Sequence, residues 1–212
     1  MRDDDRRRDA LIDAILPDVP FDGWSKAAIA AAAHRIGMDD AEIASLLPHG
    51  PRDAVAAFSR WADRKMLAAL DATSLEAMKT RERVGTAVRA RLAALEPHRE
   101  AVRRALALLA LPQNVALGAR LLYDTVDAIW YAAGDAATDF NFYTKRGLLG
   151  GVLASTTLYW LDDRSSGSEA THGFLERRLS DVMRIPRLAT RLREAADKVP
   201  NPFRLARVAR RR

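Results

Sequence analysis

The sequence contains no cysteine. A disulfide framework and a thiolate metal site are therefore both excluded, and the absence suits a reducing compartment. Strand signals are missing too, with almost no period-two alternation and no hairpin dipeptide. Every apolar run is broken by charge or is too short to span a bilayer. The opening MRDDDRRRDA has no apolar segment and carries acids, so it does not read as a signal or transit peptide. There is no Gly-rich phosphate loop and no nucleophile elbow, and no catalytic set can be assembled.

What is present is a helical pattern. At 212 residues the chain is long enough for one domain with a real core. About ten helices are predicted: Asp3–Leu16, Ser25–Ile36, a short one from Asp39 to Leu47, Pro51 to about Ala77, Arg81–Leu95, Pro97–Leu109, Val115–Ala133, Asp139–Leu161, Ser168 to about Arg184, and Arg187–Lys198. Ser25, Asp39 and Ser168 are the expected caps. Charge is uneven. From Arg184 onward ten basic residues face two acidic ones, net +8, which leaves −2 of the formal +6 for the body. Such a tail suits an anionic surface, membrane or RNA.

The stretch WSKAAIAAAAHRIGMDDAEIASLLP has a helix-turn-helix rhythm and resembles the DNA-binding end of TetR-type regulators. Its second helix opens with Asp39, Asp40 and Glu42, which phosphates would repel. A ligand-responsive repressor is the alternative function, and this helix argues against it. Glu169 and His172 form one Glu-x-x-His, whereas a di-iron bundle needs two plus further Glu, so a solvated face is expected.

In LGARLLYDTVDAIWYAAG, the residues Leu122, Val126, Ile129 and Ala133 share a stripe that reads as core. Tyr123, Asp127 and Trp130 share a second face, with Asp124 and Tyr131 beside it. That face is either an exposed interface or folded back onto a neighbouring helix. The next helix carries Gly147, Gly150, Gly151 and Ala154 at helical spacing, with Phe140, Phe142 and Tyr143 about one turn before. Each interior glycine costs about 1 kcal/mol relative to alanine. Either another helix packs very closely there, or the bare face leaves room for an apolar ligand. The tail reads as an amphipathic helix of Ile185, Leu188, Leu192, Ala195 and Val199 flanked by Arg184, Arg187, Arg191 and Lys198. Phe203, Leu205 and Val208 follow among arginines, which favours a membrane interface over docking on the protein itself.

LALPQNV, VDAIWYAAGDAATDFNFYTKR and FLERRL resemble the lipid-binding accessory proteins of ubiquinone biosynthesis, TetR-like partners of the demethoxyubiquinone hydroxylase. The resemblance covers most of the chain, to about Met183. It implies an all-α, TetR-like homodimer without working DNA recognition, and no enzymatic activity of its own. It implies no cofactor but a bound isoprenoid or quinone-type lipid, in a cavity between the Val115–Ala133 and Asp139–Leu161 helices. The lipid contacts expected are Leu122, Val126, Ile129, Phe142, Tyr143, Gly147, Gly150, Gly151 and Ala154. The hydroxylase-facing patch implied is Leu111, Pro112, Asp127, Trp130 and Tyr131. Membrane contacts fall on Leu188, Arg191, Leu192, Phe203, Arg204 and Leu205.

The division expected is a helix-turn-helix-like lobe over 1–80, a lipid-binding core over 81–184 and a membrane-docking tail over 185–212. The location implied is cytoplasmic and peripheral on the inner membrane in a bacterium, or the matrix side in a mitochondrion. The chain departs from the family where the glycines replace the usual alanines. It departs again where His172 stands at a position that is usually Trp.

Overall fold

The computed structural model describes residues 3–134 and 141–182, the side chains of 141–144 excepted. Among these residues every regular element is helical: α1 (Asp3–Ile15), α2 (Val19–Asp22), α3 (Lys26–Arg35), α4 (Asp40–Leu46), α5 (Pro51–Asp71), α6 (Thr80–Leu95), α7 (Arg99–Leu109), α8 (Val115–Ala132), α9 (Asn141–Asp162) and α10 (169–182).

Local chemistry sets most boundaries. Ser25 Oγ accepts from the Ala28 amide at 3.1 Å, and Asp39 Oδ1 accepts from the Glu42 amide at 2.8 Å. Two of the three expected caps are therefore in place. The LPQN break is closed by Asn114, whose Nδ2 donates to the Leu108 carbonyl at 2.9 Å while its amide donates to Leu111. Gly134 follows α8 at φ +81°, a conformation open to glycine at little cost.

Two boundaries differ from expectation. α5 stops at Asp71 rather than about Ala77, because Thr73 turns back and donates its hydroxyl to the Ala69 carbonyl at 2.9 Å. Ser168 is not the cap of α10: it sits at φ +57° with its hydroxyl turned toward Arg99. Ser165 and Asp163 cap instead, Ser165 Oγ accepting from the Ala170 amide and Asp163 Oδ2 from the Thr171 amide.

α5 is the axis of the fold, packed against α1, α6 and α8. It buries Val55, Phe58, Trp61, Ala62, Met66 and Leu70. Phe58 lies 5.1 Å from the ring of Trp24 and 5.8 Å from that of Trp61. The two indoles are satisfied, Trp24 Nε1 donating to the Ala101 carbonyl and Trp61 Nε1 to Asp13. A single apolar core runs from Leu11 in α1 to Leu179 in α10.

The helix-turn-helix pair is α3 and α4. The seven residues of α4 include no Lys or Arg, and its carboxylates are engaged by neighbours, Asp40 with His34 at 3.0 Å and Glu42 with Arg7. It presents no cationic side chain to a phosphate backbone.

Candidate functional site: an apolar cavity with one polar wall

A cavity of about 280 Å³, partly open to the surface at Leu158, lies between α5, α6, α7, α8 and α9. Val55, Phe58 and Ala62 of α5 form one side, Leu95 of α6 and Val102, Ala105, Leu106 and Leu109 of α7 another, and Gly118, Leu121, Leu122, Leu153, Ala154 and Leu158 of the last two helices close it. A space with this lining favours an apolar occupant. A lipid cavity was expected between α8 and α9; in this one those two helices supply one wall while α5, α6 and α7 supply the others.

One part of the wall is polar. Arg91 reaches from α6, its Nε donating to Asp63 Oδ1 at 2.8 Å and its Nη2 to Ser59 Oγ at 3.2 Å. Thr125 of α8 donates its hydroxyl to both oxygens of Asp63 at 3.0 and 3.1 Å. The ion pair is nearly enclosed, with side chains 11% and 13% exposed. Ser59, Arg91 and Thr125 all line the cavity.

Of the expected lipid contacts, Leu122 and Ala154 line this cavity. Val126 and Ile129 are fully buried in the core but do not reach the cavity, because their side of α8 packs on α5 and α6. Gly150 is buried, and a methyl group there would meet Leu122 at 3.8 Å, ordinary contact. Gly147 and Gly151 lie on the outer side of α9, with nothing within 4 Å of an added Cβ. They neither widen the cavity nor admit a close helix within the described chain. The side chains of Phe142 and Tyr143 lie outside the described residues, as does Phe140.

The patch on α8 also changes. Trp130 is 9% exposed, so it is core rather than surface, and Lys145 Nζ stands 5.8 Å from its ring. Its indole nitrogen is buried without a hydrogen-bond partner among the described residues. The helical arc that carries Val126 and Ile129 inward carries Trp130 with it. Asp127 is half exposed, but Arg146 of α9 holds it with Nε at 2.8 Å and Nη2 at 2.6 Å from Oδ1. Tyr131 and Leu111 are exposed, at 83% and 45%, together with Pro112 and Tyr123. The expected membrane contacts Leu188, Arg191, Leu192, Phe203, Arg204 and Leu205 lie outside the described residues.

Sequence reasoning missed Asp63, Arg91, Ser59 and Thr125. A signal existed: Ser59 and Asp63 stand four apart on α5 within the run Val55, Ala62, Met66, a polar pair on a helix face that is otherwise buried and apolar.

No group of three or more His, Asp or Glu that could hold a metal occurs among the described residues, and no single helix there is long and apolar enough to cross a membrane. The architecture is a TetR-like helical fold built around an apolar cavity. A crystal structure of a TetR transcriptional regulator from Nitrosomonas europaea superimposes with a TM-score of 0.67, covering 83% of this chain and 97% of the other at 21% identity. That likeness is one of fold. Residues 115–186 match the family described as COQ9. The ubiquinone biosynthesis protein COQ9, mitochondrial, of Rattus norvegicus is 32% identical over 194 residues, covering 88% of this chain and 62% of that protein. The Homo sapiens protein is likewise 32% identical, with 88% and 61% covered, and the Xenopus tropicalis protein is 36% identical, with 82% and 56% covered. Over these residues the chain resembles the ubiquinone biosynthesis proteins named COQ9. It spans less than two thirds of the length of these relatives.

Proposed function

We propose that this chain acts in ubiquinone biosynthesis as a non-enzymatic lipid-binding protein, presenting polyprenylated quinone precursors to a partner hydroxylase. The observation that carries the reading is the apolar cavity beneath Leu122 and Ala154, in a chain whose relatives are named for ubiquinone biosynthesis. An isoprenoid in water costs about 25 cal/mol per Å² of exposed apolar surface, so a cavity that covers part of it lowers the barrier to leaving a bilayer. The acidic α4 fits a TetR-like fold that has no DNA to read.

The hydroxylase would be met at the exposed Leu111, Pro112 and Tyr131, with Trp130 and Asp127 shaping that face from beneath and beside it. The chain would work as a homodimer, and the basic residues beyond 184 would hold it peripherally on a membrane. The relatives are named as mitochondrial, which suits the matrix side in a eukaryote and the cytoplasmic side of the inner membrane in a bacterium.

The test is native mass spectrometry of the purified protein with identification of the extracted lipids. A co-purifying quinone precursor or other isoprenoid is expected. A dimer free of lipid that takes up none from vesicles would sink the reading. Removal of residues 187–212 should abolish binding to anionic vesicles, and unchanged binding would place the membrane contact elsewhere.

A further inference from the structure

An apolar pocket has no need of an arginine, and burying one is costly unless it is paired. Here Asp63 pairs with it, but the pairing is incomplete as a hydrogen-bond arrangement. A guanidinium has five N–H donors. Arg91 uses Nε and Nη2, toward Asp63 and Ser59, and Nη1 donates to no described residue. Ser59 accepts from Arg91, and its own hydroxyl donates to no described residue. Two donor groups therefore remain on residues that line the cavity, and an occupant without an acceptor would leave them facing hydrocarbon.

The charge balance decides the kind of acceptor. Among the described residues Arg91 is the sole charged side chain in the cavity lining, and Asp63 offsets it at 2.8 Å. A carboxylate or phosphate entering here would be desolvated against an arginine already neutralised and would lie near a second carboxylate. A neutral carbonyl, ether or phenol oxygen meets neither penalty.

We propose that the cavity selects an amphiphile with one uncharged oxygen acceptor, seated against Arg91 and Ser59 on the polar wall, and an apolar body filling the space toward Leu106, Leu122 and Leu158. This rests on the reading of the cavity as a ligand site, and the experiment separates the two.

The full chain is loaded with the neutral fluorophore N-phenyl-1-naphthylamine and titrated with octane, 2-octanone and octanoate, which share a chain length. The ketone should displace the fluorophore about tenfold more tightly than either of the others, the worth of one hydrogen bond to a charged donor. In the double variant Arg91→Met with Asp63→Leu, which removes both charges together, that preference should vanish while octane binding is retained. Equal competition by octane and 2-octanone on the unaltered protein would overturn the inference and leave the cavity reading standing. Tightest competition by octanoate would also overturn it, by showing an anion site. Failure of the fluorophore to bind would overturn both.

Discussion

Arg146 of α9 grips Asp127 of α8 through two nitrogens on one carboxylate oxygen, at 2.8 and 2.6 Å. The arginine is 6% exposed and the aspartate 49%. A residue expected to face a partner is thus a clamp between two helices. Asp127→Ala should destabilise the isolated protein by about 1–3 kcal/mol, because it removes two charge-assisted hydrogen bonds from a buried guanidinium. Urea denaturation checks this. An unchanged midpoint would return Asp127 to a purely surface role.

Gly147 and Gly151 sit inside a helix, on its outer side, with free space where a methyl group would go. Gly147→Ala and Gly151→Ala should each raise stability by about 0.4–1 kcal/mol through loss of unfolded-chain entropy. Thermal unfolding gives the sign. If the same substitutions weaken self-association in sedimentation runs, the bare strip serves the contact between two copies.

Ala154 lines the cavity, and a larger side chain there would occupy it. Ala154→Phe should lower the amount of co-purifying lipid several-fold with a stability change under about 1.5 kcal/mol, since free volume is available. Lipid extraction and a melting curve are read together. Full lipid occupancy at normal stability would move the binding site elsewhere.

Arg99 holds the end of α9. Its Nη1 donates to the carbonyls of Trp160 and Asp163, both at 2.7 Å, its Nη2 donates to Ser168 at 2.8 Å, and its guanidinium lies 4.7 Å from the Trp160 ring. Trp160 in turn donates to Glu96 at 2.8 Å. Arg99→Ala should cost about 2–3 kcal/mol, the loss of charged bonds to helix-terminal carbonyls. Chemical denaturation measures it, and a loss under 0.5 kcal/mol would make the cluster incidental.

Asp163 caps α10. Side-chain hydrogen bonds from Thr171 and Ser165, opposed by burial and helped by the amides of the same residues, hold its carboxyl well below the usual carboxylate range. A depressed acid stabilises the fold above its unfolded pKa of about 3.9, and the gain is lost as pH falls toward the folded value. The stability difference between the native chain and Asp163→Ala should therefore be constant from pH 5 to 7 and shrink below about pH 4. A difference that persists undiminished far into acid would mean that the carboxylate charge is not what caps the helix.

Helices, caps and the all-α class were legible because they rest on local chemistry. Ser25 and Asp39 do what their sequence positions predict. Gly147 and Gly151 on α9 were legible as unusual but not as outward-facing, since spacing gives a stripe without saying which neighbour it meets. Trp130 shows the same limit. It shares an arc with Asp127, and only the packing of α8 on α5, α6 and α9 shows that the ring turns inward. The cavity itself draws on five helices, and its polar wall joins Asp63, Arg91 and Thr125, residues 28 and 62 positions apart in pairs. No local pattern brings them together.

The cavity also limits how a lipid cargo would travel. At about 280 Å³ it is less than twice the ~150 Å³ engineered hollow that accepts a single benzene. A chain of many isoprene units cannot be enclosed in it. If the occupant is such a lipid, its far end stays moored in the bilayer while the near end is lifted. The protein would then be a davit at the membrane's edge rather than a ferry through water, and delivery would require the receiving enzyme to come to the same surface.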